Sequence, residues 1–213
     1  MTPDYTHYYR QTLQYLQYEG RKKYGISFKF IKEDIPLILQ LICYFTNDKV
    51  NAKEHNINLD KGIMLSGPIG CGKTTLLELI KTIAVPEKKF FFTTARDVSF
   101  EFLKDGYDVI HRYSKGIPGL HTKKNFAFDD LGTERNLKYY GNECNIMAEI
   151  LLSRYELFSH PDPSQRVVTH ITTNLSATEL EEYYGNRVRS RLRDMCNLIF
   201  FDNEAADKRK GLS

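Results

Sequence analysis

The chain has 213 residues, of which 41% are hydrophobic, and its formal net charge is only +3. This length suits one α/β domain with a short extension, and the small net charge excludes attraction of nucleic acid to the whole surface, so any DNA contact must come from local clusters. The four cysteines include no C-x-x-C pair, which argues against a zinc site or a disulfide framework. A polar, aromatic N-terminus and the lack of a long apolar run predict a cytoplasmic protein without a membrane span.

The hydrophobic pattern predicts helices and strands that alternate along the chain. Before residue 89 it predicts helices over 4–23, 34–47 and 75–83 and a buried strand over 62–66. After that point it predicts strands over 89–93, 125–129, 166–173 and 197–201, and helices over 97–104, 107–114, 142–159 and 176–183. This alternation predicts a parallel sheet with helices on both faces, in which phosphate sites lie at the carboxyl ends of the strands.

A glycine-rich stretch between the first strand and the following helix fits the phosphate-binding pattern G-x-x-x-x-G-K-[ST]. The residues expected to contact the nucleotide are Gly67, Pro68, Ile69, Gly70, Cys71, Gly72, Lys73, Thr74 and Thr75. The backbone N–H groups of such a loop converge on a phosphate, Lys73 would reach the β- and γ-phosphates, and the Thr74 hydroxyl would ligate Mg²⁺. A simple turn between strand and helix would not explain Lys73 and Thr74. We therefore expect ATP and Mg²⁺ as ligands.

Two acids end the apolar run Phe126-Ala127-Phe128. An acid at the end of such a strand holds Mg²⁺ in P-loop enzymes, and Asp129 is the candidate for this role. Asp130 stands where a second carboxylate could act as general base toward water. A solvated turn is the alternative for these two acids, and the phosphate loop upstream favours the catalytic interpretation.

Polar and basic residues near the end of the chain complete a candidate site. Asn174 follows the fourth strand and would position water, although a helix N-cap is an alternative for it. Arg187 and Arg191 lie four residues apart and share one face of a helix. Two such arginines suggest an anionic partner, either a phosphate or an acidic surface.

Together these motifs resemble the AAA+ ATPases, and more narrowly the DnaC/IstB-like helicase-loader branch. The matching segments are Gly67–Thr74 (Walker A), Phe126–Asp130 (Walker B), Thr172–Asn174 (sensor 1) and Tyr184–Leu192 (the arginine-finger motif). The resemblance covers about residues 26–201, and the first 25 residues match no motif.

The resemblance implies a P-loop core sheet with strand order 5-1-4-3-2 and ATP bound between protomers. Arg191 would be the finger that reaches the γ-phosphate on a neighbouring subunit, and Arg187 would either assist it or stabilise the helix. Many relatives have Glu where this chain has Asp130, which is one methylene shorter, so the expected hydrolysis is slow and stimulated by DNA or assembly. We predict an N-terminal helical arm (1–25), for which a helix packed on the core is the alternative, an ATPase core (26–202) and a basic tail (203–213) without a separate lid. Arg209 in the tail is a candidate substitute for the second sensor arginine, and a disordered basic tail is the alternative.

The resemblance also favours one function among several. We expect an ATP-dependent DNA-replication accessory protein that loads or remodels a replicative helicase on single-stranded DNA, with the N-terminal arm contacting the helicase. The alternatives are an IstB-like transposase helper that binds duplex DNA, a P-loop small-molecule kinase, and a switch in which ATP only controls assembly. The candidate DNA contacts are Lys104, Arg112, Lys115, Lys123 and Lys124, for which an ordinary solvated face is the alternative.

Overall fold

The computed structural model describes residues 7–114, 124–134, 137–139, 142–202 and 207–208. The described parts of 1–59, 68–89 and 201–213 form a first compact unit, and those of 60–67 and 90–200 form a second. The phosphate loop therefore begins in the second unit, at Gly67, and continues in the first. None of the described helices is both long and apolar enough to cross a membrane.

The described part of the first unit contains four α-helices: α1 (His7–Tyr24), α2 (Ile35–Phe45), α3 (Lys49–Glu54) and α4 (Lys73–Ile80). Helices α1, α2 and α4 pack against one another. α2 is apolar along nearly its whole length, and all residues from Leu37 to Phe45 except Gln40 are buried. α3 was not predicted, because it is only six residues long and buries only Ala52.

α1 packs one face on the first unit and exposes the other. Its buried residues are Tyr9, Thr12, Leu16 and Gly20, which are three or four positions apart, as one helix face requires. The Phe28 ring occupies the space beside Gly20 where a side chain would otherwise point. Tyr8, Tyr15 and Tyr18 are exposed. The predicted N-terminal helix is confirmed, with its first predicted residues outside the described part of the chain.

A partly buried hydrogen bond attaches the start of α1 to α3. The Tyr9 hydroxyl donates to Asp48 at 2.7 Å, and Asp48 also caps α3 by accepting from the Val50 and Asn51 N–H groups at 3.0 and 3.1 Å. Burial alone would raise the Asp48 pKa, but hydrogen bonds from Asn51 and Tyr9 outweigh it and hold the pKa below its usual value.

We expect Tyr9→Phe to lower the free energy of unfolding by about 1–2 kcal/mol at neutral pH, because the Asp48 carboxylate loses a donor. The folded-state pKa of Asp48 lies below the unfolded value of about 3.9, so this contribution is full above that pH and is lost as the pH falls through the folded-state pKa. Urea unfolding of both proteins at neutral and acidic pH measures it. A difference that stays constant on acidification would contradict the assignment.

The second unit is built on a parallel sheet. Its strands are β1 (Gly62–Ser66), β2 (Phe91–Thr94), β3 (Phe126–Leu131), β6 (Thr169–Thr173) and β7 (Cys196–Phe200), in the order β2-β3-β6-β1-β7. Two further short strands, β4 (Leu137–Tyr139) and β5 (Asn142–Cys144), form a separate antiparallel pair. Counted along the chain, the five strands of the main sheet have the predicted order 5-1-4-3-2, and the α/β fold class is confirmed.

Helices α5 (Ala95–Asp105), α6 (Asp108–Ser114), α7 (Ile146–Phe158) and α8 (Ala177–Met195) complete the second unit. They share a core with one face of the sheet, to which Met64, Phe128 and Ile171 contribute neighbouring positions on three strands. α8 contributes Val188, Leu192 and Met195, whose spacing places them on one face of the helix.

The helix predicted over 142–159 begins later than expected. Residues 142–144 form β5, and Asn145 caps α7 by accepting from the Ala148 N–H at 3.0 Å. The apolar spacing that predicted the helix holds only from Ile146 onward. The earlier residues have a local strand partner in β4, which the sequence pattern did not show.

α8 joins two segments that the sequence presented separately. Ser176 and Glu179 form a capping box at its start. Gly185 then interrupts the helix with φ +83° and ψ 158°, so the two halves meet at a kink. A Cβ at Gly185 would touch nothing, so this backbone conformation is what favours glycine here.

Candidate nucleotide-binding site

The phosphate loop has a backbone geometry that suits anion binding. Gly70 and Gly72 have φ angles of +83° and +99°, in the left-handed region that side chains disfavour. Gly72 directly precedes α4, so the loop ends at a helix N-terminus, whose N–H groups and dipole favour a negative charge. The geometry thus fits the phosphates of a nucleotide.

The lysine of the motif is held inside the loop. Lys73 is buried, and its Nζ donates to the Pro68 carbonyl at 2.9 Å and lies 3.8 Å from the Cys71 Sγ. Thr74 follows on the first turn of α4 and is half-buried. Burial raises the pKa of the Cys71 thiol, which is consistent with a small neutral residue that fills space in the loop.

A residue of the C-terminal segment contacts the same loop. The Lys208 N–H donates to the Gly70 carbonyl at 3.1 Å, and its Nζ donates to the Cys71 carbonyl at 2.6 Å and to Asp34. The Asp207 carboxylate occupies the space where a Gly70 side chain would point. The sequence did not single out these residues. Arg209, the predicted sensor, lies outside the described residues.

The two candidate acids lie at the carboxyl end of β3. Asp129 is buried, and its Oδ1 accepts from the Thr172 hydroxyl at 2.5 Å. Asp130 has φ +52°, where the register between β3 and β6 shifts, and its N–H donates to the same Thr172 oxygen at 2.9 Å. Thr172 therefore binds the Asp129 carboxylate and the Asp130 backbone at once.

We expect Thr172→Val to destabilise the protein by about 2 kcal/mol, because the buried Asp129 carboxylate loses a donor and the partly buried Asp130 N–H loses an acceptor. Thr172→Ser keeps the hydroxyl and is the matched control, with less than half of that loss. Urea unfolding monitored by circular dichroism compares the three proteins. A loss for Thr172→Val no larger than that for Thr172→Ser would contradict the assignment, because Val keeps the methyl group and lacks the hydroxyl.

The other predicted polar residue lies at the same edge of the sheet. Asn174 directly follows β6, whose neighbours β3 and β1 end near Asp129 and Gly67. The Gly67 N–H donates to the Thr173 carbonyl at 3.3 Å. Ser176 caps α8, so the capping role considered for Asn174 does not apply. The sheet thus brings Asp129, Asp130, Asn174 and the first residue of the phosphate loop to one edge.

The arginines of α8 have different surroundings. The Arg191 guanidinium lies 4.1 Å from the centre of the Tyr155 ring, whose hydroxyl donates to Asp194 at 2.7 Å. Arg187 is exposed. Arg189 forms an ion pair with Glu181 at 2.6 Å. Arg191 is therefore held in a defined position by an aromatic ring, while Arg187 points to solvent.

The candidate DNA contacts do not form a basic surface in the described residues. Lys104 is exposed, and Lys124 lies 4.4 Å from the centre of the Phe91 ring. Arg112 pairs with Glu101 at 2.7 Å and with Asp105 at 2.8 Å, which leaves less of its charge for a phosphate. Residues 95–114 hold three Lys or Arg and four Asp or Glu, a net charge of −1. Lys115 and Lys123 lie outside the described residues.

Sequence reasoning missed a buried acid beside the two predicted ones. Glu134 follows Asp130 by four residues and accepts hydrogen bonds from Gly132 and from Tyr184 on α8. An acid so close to the Asp-Asp pair is a visible signal, but its burial depends on α8, which is distant in sequence. Thr172 lies in the segment that resembles sensor 1, but its contact with both acids was not predicted, and Asp34 and Lys208 gave no signal.

Comparison with known proteins supports the fold. No family model and no curated protein matches the chain. Among solved structures, the DnaC helicase loader matches with a TM-score of 0.52 and 19% identity, over 83% of this chain and 94% of that one. A candidate primosome component from Streptococcus pyogenes serotype M3 matches with a TM-score of 0.52 and 18% identity, over 83% of each chain. The chain thus has the P-loop α/β fold of the DnaC helicase loader, and the resemblance inferred from its motifs is confirmed at the level of the fold.

Proposed function

We propose that this protein binds and hydrolyses ATP and acts as a DNA-replication accessory protein that loads or remodels a replicative helicase on single-stranded DNA. The observation that carries the proposal is the phosphate loop, where two glycines in left-handed conformations lead directly into α4 and Lys73 is held inside the loop. The shared fold with the DnaC helicase loader supports the choice of a loader among P-loop proteins.

Different residues would bind the phosphates and the Mg²⁺ ion. The backbone N–H groups of the loop and the Lys73 ammonium would contact the phosphates, and Thr74 and Asp129 would hold Mg²⁺. A bound Mg²⁺ neutralises charge on the phosphates. The donors fit a hard cation, because both are oxygen ligands and the Thr172 hydroxyl orients the Asp129 carboxylate.

Hydrolysis would depend on residues at the edge of the sheet and on a second subunit. Asp130 would accept a proton from the attacking water, and Asn174 would position that water. Arg191 would reach the γ-phosphate bound to a neighbouring copy, where a guanidinium stabilises charge that develops in the transition state. ATP would therefore favour self-association.

The outer face of α1 is the proposed contact for the helicase. It exposes Tyr8, Tyr15 and Tyr18, while the inner face packs on the first unit. Tyrosine side chains on an exposed face are common anchors in protein interfaces. The contact with single-stranded DNA rests on the fold resemblance, because residues 95–114 carry no net positive charge.

ATP turnover with and without DNA tests this function. We expect slow basal hydrolysis that rises several-fold with a single-stranded oligonucleotide, and co-purification of a replicative helicase from the native host. Stimulation only by duplex DNA, together with capture of a transposase, would favour the transposase helper instead. ATP binding without turnover under any condition would contradict the ATPase proposal. The switch in which ATP only controls assembly would then be the favoured alternative.

A further inference from the structure

Glu134 is a buried carboxylate whose hydrogen bonds connect two parts of the second unit. Its side chain is 4% exposed. Oε2 accepts from the Gly132 N–H at 2.9 Å, and Oε1 accepts from the Tyr184 hydroxyl. The Tyr183 hydroxyl donates to the Glu134 main-chain carbonyl. Two adjacent tyrosines of α8 therefore bind one residue of the turn that follows β3.

The turn that contains Glu134 also contains the candidate general base. The Asp130 carbonyl accepts from the Thr133 N–H at 3.1 Å and from its hydroxyl at 2.7 Å, so residues 130–134 form one hydrogen-bonded turn. Leu175, next to Asn174, packs on Gly132, where an added Cβ would lie only 2.5 Å from Leu175 Cδ1. The backbone at Asp130 is thus fixed from one end by Thr172 and from the other by Glu134 and its neighbours.

At the α8 end of the Glu134 hydrogen bonds, Tyr183 and Tyr184 immediately precede the kink of the helix. The helix is interrupted at Gly185, so continuous helical hydrogen bonding does not fix the second half, which carries Arg187 and Arg191, relative to the first. The Asn145 side chain donates to the Tyr183 carbonyl at 3.1 Å. Contacts with the rest of the unit therefore hold the segment just before the kink.

The Tyr184–Glu134 bond joins two buried side chains. Tyr184 is 7% exposed, and burial together with the Glu134 charge raises the pKa of its hydroxyl. A hydrogen bond from a neutral hydroxyl to a buried carboxylate is charge-assisted, and removing either partner leaves the other unsatisfied.

We propose that Glu134 is a positioning residue for ATP hydrolysis: through Tyr184 it holds the Asp130 turn against the segment of α8 that precedes the arginine-bearing half. This inference rests on the proposed ATPase function. Glu134 itself contacts neither ATP nor water in the reaction. Its effect is on the placement of Asp130 and of the α8 arginines, so it changes the rate of the chemical step and not the binding of ATP.

The test compares Glu134→Gln, Tyr184→Phe and the double variant in the full chain. Gly132 and Tyr184 donate to different oxygens of the carboxylate, so a glutamine places its amide NH2, itself a donor, against one of them. We expect each single change to lower kcat at least about tenfold, with KM for ATP unchanged within about threefold. We expect the double variant to be no worse than the poorer single one within about threefold, because both remove the same bond.

A matched control and a second readout separate this role from simple destabilisation. Tyr113→Phe removes another tyrosine–glutamate bond of the same unit, which joins Tyr113 to Glu101 at 2.8 Å. We expect the kcat of this variant to stay within about twofold of the wild-type kcat. Hydrogen exchange without nucleotide should be faster in the variants for residues 130–134 and 177–184. ATP-dependent protection of the phosphate loop should remain. Tyr184→Phe keeps the shape of the side chain and carries the test by itself if Glu134→Gln does not fold.

The outcomes are distinct. A wild-type chain that binds but does not hydrolyse ATP overturns both the proposed function and this inference. Wild-type turnover that persists unchanged in folded Tyr184→Phe overturns this inference alone. Losses of kcat that multiply in the double variant also overturn it, because the two residues would then act independently.

Discussion

Arg191→Ala is expected to lower ATP turnover by about 10³-fold while leaving the affinity for ATP nearly unchanged. The reason is that a finger arginine stabilises charge that appears only in the transition state, so its removal affects the rate and not ground-state binding. The structure adds that Arg191 is stacked on Tyr155 at 4.1 Å and so has a defined position before any partner subunit approaches. Steady-state kinetics and calorimetry measure the two effects separately.

Mixing of variant subunits tests whether Arg191 acts on a neighbour. Arg191→Ala subunits keep an intact phosphate loop, and Lys73→Ala subunits keep an intact arginine. At some hybrid interfaces, the intact phosphate loop of an Arg191→Ala subunit therefore meets the intact Arg191 of a Lys73→Ala subunit. ATP turnover should recover in part at intermediate mixing ratios. Arg193→Ala is the matched control, since Arg193 is exposed two positions further along α8. An unchanged rate in every mixture would mean that Arg191 does not act between subunits.

Exposed Arg187 is the competing candidate for the finger. If it plays the main role, Arg187→Ala will cause the larger loss and will be the variant that complements Lys73→Ala. We expect the smaller loss for Arg187→Ala, because an assisting group does not contact the γ-phosphate directly.

Lys73→Ala is expected to lower turnover by about 10²–10³-fold and to weaken ATP binding as well. Its ammonium lies within the loop, bonded to the Pro68 carbonyl, and would interact with the phosphates in both the ground state and the transition state. This dual effect distinguishes it from Arg191. Lys53→Ala on α3 removes an exposed lysine of the same unit and is the control for the change in net charge. Turnover of Lys73→Ala equal to that of the wild type would show that the measured hydrolysis comes from another site or another protein.

Much of the fold could be predicted because local signals agree with tertiary packing. Apolar runs bounded by polar turns mark all five strands of the main sheet, and the order follows from the resemblance. The capping box of Ser176 and Glu179 and the buried face of α8 are likewise formed by residues only a few positions apart. The loop conformation at Gly70 and Gly72 also follows from the pattern, since glycine is required where φ is positive.

The parts that were not predicted depend on contacts between residues far apart in sequence. Arg154 is 1% exposed and donates to backbone carbonyls of Tyr113, Lys124 and Val168, an environment in which burial lowers its pKa to about 9. A single arginine in an amphipathic helix gives no hint of this. The contact of Lys208 with the phosphate loop spans more than a hundred residues. Such contacts have no local pattern that sequence spacing could show.

Binding of ATP is the central claim, and calorimetric titration of the full chain with a non-hydrolysable ATP analogue and Mg²⁺ tests it most directly. We predict saturable binding of one nucleotide per chain with a Kd in the micromolar range, weakened at least about tenfold by Lys73→Ala and unaffected by Lys53→Ala. The absence of saturable binding to folded wild-type protein at about 1 mM analogue would contradict the account.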